Sequence, residues 1–292
     1  MRLNRNEIKA LLLITSSEMP FRPLDIISSL GLRRGSVSRI ITHLRDKGLV
    51  DREDSRIVLA KAPPAESFKR LYYAHRASPF QLLLADRRIE LLSRLDPSTK
   101  SAKELHEETG IPLKTVYYYL HDFARLGVVV PTKSGKLSIY SFNYIYWNAL
   151  KDFVSALQEY DKARLVPRDA LLIKIYEDSV LFKGLRAQDA TPTSFSAYEG
   201  YGIELGLRDN YYTLPKRELS IEDVFIHSLD SAEGRSQKLF CILFYLKNKN
   251  KLRSVQHPMV KDIRAVLRGE KVKGYPSMED VEDRTEMYGI EL

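Results

Sequence analysis

Thiols are nearly absent from this 292-residue sequence, in which Cys241 stands alone. A single cysteine excludes a disulfide framework and any cysteine-based zinc site, because both need several thiols. Long apolar runs are missing as well. The longest, Leu239–Leu246, has eight residues, far short of the roughly 18–20 a membrane span requires. The early run Ala10–Ile14, after Arg2 and Arg5, is too short for the apolar stretch of a signal peptide. These absences lead us to expect a soluble, cytoplasmic protein in a reducing compartment, with no membrane partner. Hydrophobic residues make up 44% of the chain and charged residues 29%, which is enough apolar surface to exclude a mostly disordered chain. At roughly 100–200 residues per domain, the length implies two or three domains.

Catalytic motifs are also missing. His43, His75, His106, His121, His227 and His257 form no H-E-x-x-H pair, and neither phosphate-cradling glycine motif occurs. Cys241 sits in an apolar helical run and is expected to be a core thiol. His227 follows Asp223 by four residues, which reads as an acid/base pair, a surface ion pair or a capped core histidine. Glu222-Asp223 and Glu279-Asp280 fall at helix starts, where the macrodipole favours carboxylates. Glu204 and Asp209 lack the G-S pair and D-x-D of a nucleotidyltransferase metal site. The expectation is a protein that is not an enzyme, with no catalytic residues, metal or cofactor.

Charge is abundant but uneven. Residues 1–148 carry 24 Lys and Arg against 15 Asp and Glu, whereas residues 149–292 carry 22 against 23. The whole excess therefore lies in the first half, and it points to a polyanionic partner there.

That half repeats itself without gaps, at the constant shift that carries Gly31 onto Gly110. Gly31, Ser36, Val37, Ile41, Leu44, Gly48 and Leu49-Val50 recur as Gly110, Thr115, Val116, Leu120, Phe123, Gly127 and Val128-Val129. Val37, Ile41 and Leu44 mark one helical face, and Gly48 follows at the place where a helix stops. Ile26 and Leu105 fall on short helices ending near Gly31 and Gly110. Ile8, Ala10, Leu11 and Leu12 mark an earlier helix, with Leu83, Ile89, Leu92 and Leu95 as its counterpart. Each unit closes with a hairpin. Asp51–Ser55 joins Leu49-Val50 to Ile57–Leu59, and Thr132–Gly135 joins Val128–Val130 to Leu137–Phe142.

Three helices and a two-stranded wing resemble the winged helix-turn-helix domains of prokaryotic transcription regulators, most closely over Ser36–Val50. The resemblance covers about residues 3–61 and 80–142, and it implies double-stranded DNA as partner. With Val37, Ile41 and Leu44 facing the core, Arg34, Ser36, Ser38, Arg39, Thr42 and His43 lie outward. A recognition helix inserts its N-terminal half into the major groove, where arginine reads guanine bidentately. Arg39 and Arg34 are the first candidates for base contact, with Ser36 and Ser38 as short donors. Arg33 is placed to grip phosphate, and Arg52 and Arg56 lie on the wing. The second copy offers Lys114, Thr115, Tyr118 and His121, with Lys133 and Lys136 on its wing. Its Tyr117 and Tyr119 either contact DNA or pack between domains. Either one copy reads sequence while the other grips backbone, or the second copy is an interaction module.

The expected fold class is mainly α with α+β parts: two winged helices followed by a small α+β domain. The first winged helix takes residues 1–61, a linker 62–79 and the second winged helix 80–146. The linker opens on Pro63-Pro64 and continues as a short basic helix, Lys69–Arg76. A connecting helix over 147–167 leads into the α+β domain, 168–292. There a strand-like run at Ala170–Tyr176 precedes turns through Gly206 and a strand at Tyr211–Pro215. Helices are expected near Ile221–Leu229, Arg235–Lys247, Pro258–Leu267 and Ser277–Tyr288, with Ser220 and Asp223 capping the first.

Leu219–Leu229 and Arg284–Ile290 are loosely similar to the C-terminal half of AbiEi-type antitoxins. That likeness implies an autorepressor binding a cognate toxin, although such proteins usually carry one winged helix. The leading expectation is a sequence-specific transcription regulator, with a protein partner or small-molecule effector at the C-terminal domain. It would act as a monomeric pseudo-dimer or a homodimer. The alternatives are the antitoxin, a nucleotidyltransferase-type enzyme docked by winged helices, and a protein that binds DNA without operator choice.

Overall fold

A computed structural model describes residues 2–17, 19–95, 98–135, 137–187 and 189–290. The fold is mixed α/β, largely helical, with small antiparallel sheets. Among the described residues, no helix is long and apolar enough to cross a membrane. The chain divides into two compact units, Met1–Asp161 and Lys162–Leu292.

In the first unit, α1 (Arg5–Ser16), α2 (Pro23–Leu30) and α3 (Arg34–Asp46) precede a hairpin of β1 (Val50–Glu53) and β2 (Arg56–Leu59). Local chemistry sets each boundary. The Asn4 side chain accepts from the Glu7 amide and the Glu7 carboxylate accepts from the Asn4 amide, both at 2.9 Å, a reciprocal cap for α1. Pro23 opens α2, and Gly31 closes it in the left-handed conformation. α3 buries Val37, Ile40, Ile41 and Leu44, so Ile40 widens the expected stripe to i, i+3, i+4 and i+7.

After α4 (Pro63–Ala74), the order returns as α5 (Phe80–Leu84), α6 (Arg88–Leu95), α7 (Ala102–Thr109) and α8 (Leu113–Arg125). A sheet ordered β3-β5-β4 completes it, from β3 (Lys100–Ser101), β4 (Val129–Ser134) and β5 (Leu137–Phe142). The shift from Gly31 to Gly110 also carries both ends of α2 onto those of α7, and both ends of α3 onto those of α8. It carries Phe21 onto Lys100. Phe21 exchanges backbone bonds with Ile57 at 3.0 and 2.7 Å, a one-residue counterpart of β3.

The expected helix through Leu83, Ile89, Leu92 and Leu95 is broken into α5 and α6. Asp86 sits at the break with φ +62°, and its amide donates to the Leu3 carbonyl at 2.8 Å. The step from Leu83 to Ile89 does not keep one helical face. Within residues 62–79, α4 buries Phe68 and Leu71 completely. The Phe68 ring lies 5.8 Å from Phe80 and 5.2 Å from Phe153, the latter on α9 (Tyr144–Ala163). One hydrophobic core therefore runs from Leu3 to Leu157 through both copies.

Gly48 and Gly127 close the repeated helices at φ +66° and +67°, but their surroundings differ. A Cβ on Gly48 would meet the Tyr160 ring at 2.6 Å, whereas one on Gly127 would meet nothing within 4 Å. Gly127→Ala is expected to cost about 1 kcal/mol, from the left-handed backbone alone. Gly48→Ala should cost about 2–3 kcal/mol, because the ring must also move. Urea unfolding of the two variants checks the order, and equal losses would contradict the packing argument.

In the second unit, β6 (Leu171–Ile175), β7 (Val180–Gly184), β8 (Thr191–Pro192) and β9 (Asn210–Leu214) form a sheet ordered β6-β7-β9-β8. Helices α10 (Ile221–Ser231), α11 (Arg235–Lys247), α12 (Pro258–Leu267) and α13 (Met278–Tyr288) follow. Ser220 with Asp223 forms the expected capping box. The stretch after Tyr176, expected as turns, instead holds β7, β8 and a 3-10 helix at Ser194–Tyr201. Cys241 is fully buried, and burial pushes its thiol up to about 12.

His227 belongs to this core. Its Nδ1 lies 2.7 Å from the Thr193 hydroxyl, and burial pushes its pKa down to about 4, against roughly 6.5 in an unfolded chain. Between those values the unfolded state binds more protons, so stability is full above about pH 6.5 and is lost as pH falls towards about 4. The loss attributable to His227 is expected to be about 3 kcal/mol. Urea unfolding of wild type and His227→Gln across this window measures it as the difference between the two slopes. Parallel curves would contradict it.

Candidate nucleic-acid interface

The buried stripe of α3 fixes what its other side presents. With Val37, Ile40, Ile41 and Leu44 inward, Arg33, Arg34, Ser36, Ser38, Arg39, Thr42 and His43 are all exposed. No acidic residue lies in the first turn of α3, so the positive end of the helix adds to Arg33 and Arg34. Among the described residues, no hydrogen-bond or ion-pair partner engages the side chains of Arg33, Arg34 or Arg39. Thr42 is occupied differently: its hydroxyl donates to the Ser38 carbonyl at 3.0 Å. On the neighbouring hairpin, Glu53 pairs with Arg56 and Arg52 with Ile57 across the strands. Asp54 and Ser55 turn at positive φ, and both Arg52 and Arg56 are exposed.

A cleft of about 470 Å³ borders this face, lined by Asn4, Arg5, Asn6, Ser36, Arg39, Ile40, His43 and Asp86. Sequence reasoning missed the contribution of α1. The signal was present, because Arg5 stands at i−3 from Ile8 and so ends the stripe that packs against α3. Beneath the cleft, His43 Nδ1 lies 3.0 Å from a carboxylate oxygen of Glu7, and Glu7 is only 3% exposed.

The second copy holds the equivalent positions by other means. The repeat shift takes Glu7 to Asp86 and His43 to Asp122. Here Arg88 bridges two carboxylates, 2.7 Å from Asp122 and 3.7 Å from Asp86, with the Arg88 and Asp122 side chains only 4% and 7% exposed. The same guanidinium lies 4.2 Å from the Tyr119 ring centre and 5.5 Å from that of Tyr118.

On the outer side of α8, Lys114, Tyr117, Tyr118 and His121 are exposed and Thr115 is half-buried. Tyr119 is buried within the first unit and Tyr117 is exposed, so the two tyrosines, expected to share one role at DNA or between domains, do different things. Lys133 is exposed on β4, and Lys136 lies outside the described residues. Residues 1–161 carry 25 Lys and Arg against 18 Asp and Glu, so the compact unit holding both copies is cationic.

No family model, curated protein or solved structure matches this chain.

Proposed function

We propose that the first unit is a pair of winged helix-turn-helix domains, that the α3 face of the first binds double-stranded DNA, and that the protein is a sequence-specific transcription regulator. The observation that carries this reading is the α3 face. Three arginines whose side chains have no hydrogen-bond or ion-pair partner among the described residues stand with Ser36 and Ser38 on the exposed side of a helix whose opposite side is wholly core. Arg39 and Arg34 read base edges, Arg33 holds phosphate, and Arg52 and Arg56 on the wing meet the neighbouring backbone. Because both copies share one core, a single chain holds the second copy in a fixed place relative to the α3 face. The second unit is assigned to partner or effector binding.

Gel-shift titration of the full-length protein against excess competitor DNA tests the reading. Sequence-specific binding survives the competitor, whereas a protein held only by charge is stripped off and loses affinity steeply with salt. Within that assay, Arg33→Ala is expected to weaken binding uniformly across sequences and to lower the salt slope by about one. A sequence-dependent effect at Arg33 would instead make it a base reader.

A further inference from the structure

α8 repeats the frame of α3 but not its chemistry. Under the repeat shift, Ser38 and Arg39 become Tyr117 and Tyr118, whose rings stand 52% and 55% exposed. Tyr140 on β5 extends the row: burial first, and the neighbouring Tyr117 phenol second, hold it above its ordinary pKa. Tyr118 lies 6.0 Å from Tyr119, and Arg88 underlies both, so the row rests on a buried ion pair. Exposed Lys114, His121 and Lys133 border it. Arg88, beneath the row, also lies 3.7 Å from Asp86, which lines the α3 cleft.

The two surfaces suit different parts of a nucleic acid. A guanidinium fork matches the edges of paired bases, which a major groove displays. A phenol ring matches the face of a base, which a duplex hides in its stack and a single strand exposes. Basic residues beside the rings supply the attraction for a phosphate backbone. We infer that the tyrosine row of α8 and β5 binds single-stranded nucleic acid by stacking, beside a duplex held by α3. The preferred ligand is then a duplex with a single-stranded extension. This rests on the reading of α3 as a duplex-binding helix.

Fluorescence anisotropy of the full-length protein with three labelled oligonucleotides tests it: a blunt duplex, the same duplex with a thymidine overhang, and an oligo-thymidine strand. Wild type should bind the overhang duplex about tenfold more tightly than the blunt one. The exposed pair Tyr117→Ala/Tyr118→Ala should lose that advantage and the oligo-thymidine binding while keeping blunt-duplex affinity and the wild-type unfolding midpoint. Tyr117→Phe/Tyr118→Phe should retain the advantage, because stacking needs the ring and not the hydroxyl. Arg39→Ala should weaken the blunt duplex and leave oligo-thymidine binding intact. Equal wild-type affinity for blunt and overhang duplexes would overturn the inference while leaving the α3 reading in place. Loss of blunt-duplex binding alone would instead remove the α3 reading. If the alanine pair abolished self-association by sedimentation and left nucleic-acid binding unchanged, the row would be a protein interface and the inference would be wrong.

Discussion

Asp122→Ala is expected to lower the unfolding free energy by about 3–5 kcal/mol, the largest stability effect in the first unit. Asp122 is on α8 and Arg88 starts α6, so their 2.7 Å contact joins the two helices inside the core. Removing the carboxylate leaves a buried guanidinium with only the more distant Asp86, 3.7 Å away and 55% exposed, to compensate it. The Arg88 Nε already lacks a hydrogen-bond partner among the described residues, so there is little redundancy. Replacing both partners by apolar residues, Arg88→Met with Asp122→Leu, removes the charge together with its counter-charge. The double variant should therefore lose much less than Asp122→Ala alone. Urea unfolding of these variants measures the coupling. A single-variant loss below about 1 kcal/mol would mean that water reaches the pair, contrary to its burial.

The second large effect concerns binding. Arg39→Ala is expected to reduce affinity for a specific duplex site by about 10- to 100-fold, the loss of one bidentate base contact. The position is favoured on geometry. Arg39 adjoins buried Ile40, lines the cleft shared with Arg5, and stands among the α3 arginines whose side chains have no hydrogen-bond or ion-pair partner among the described residues. Its counterpart in the second copy is Tyr118, so the two copies present different chemistry at this position. Arg39→Lys separates recognition from charge. The lysine keeps the phosphate attraction but loses the fork, so it should preserve non-specific binding and lose most of the specificity. Equal recovery of both by lysine would show that Arg39 meets a phosphate.

Much of this was legible in the sequence because the repeat doubled every signal. One Val-x-x-x-Ile-x-x-Leu stripe is ambiguous. Two such stripes, each preceded and followed by glycine at matching distances, fixed α3 and α8 closely. The exposed positions of α3 followed directly, since a helix with a known buried side has a known outer one. What was not legible came from contacts distant in sequence. The α5–α6 break depends on the backbone of Leu3, and nothing near Asp86 announces it. Phe68 reads as linker until Phe80 and Phe153 are brought beside it. Glu7 caps α1, and its second role against His43 depends on how α1 crosses α3. In the second unit, β7 offers only Val180, Leu181 and Phe182 between turn residues. That run is too short for periodicity to register, although all three are completely buried.

The claim at the centre of this account is that the α3 face reads DNA sequence. Selection of binding sites from random duplexes by the full-length protein, followed by sequencing, tests it most directly. Wild type is expected to yield a defined motif, with guanine information at one position lost for Arg39→Ala. Enrichment of no motif, or of the same motif by Arg39→Ala, would contradict it.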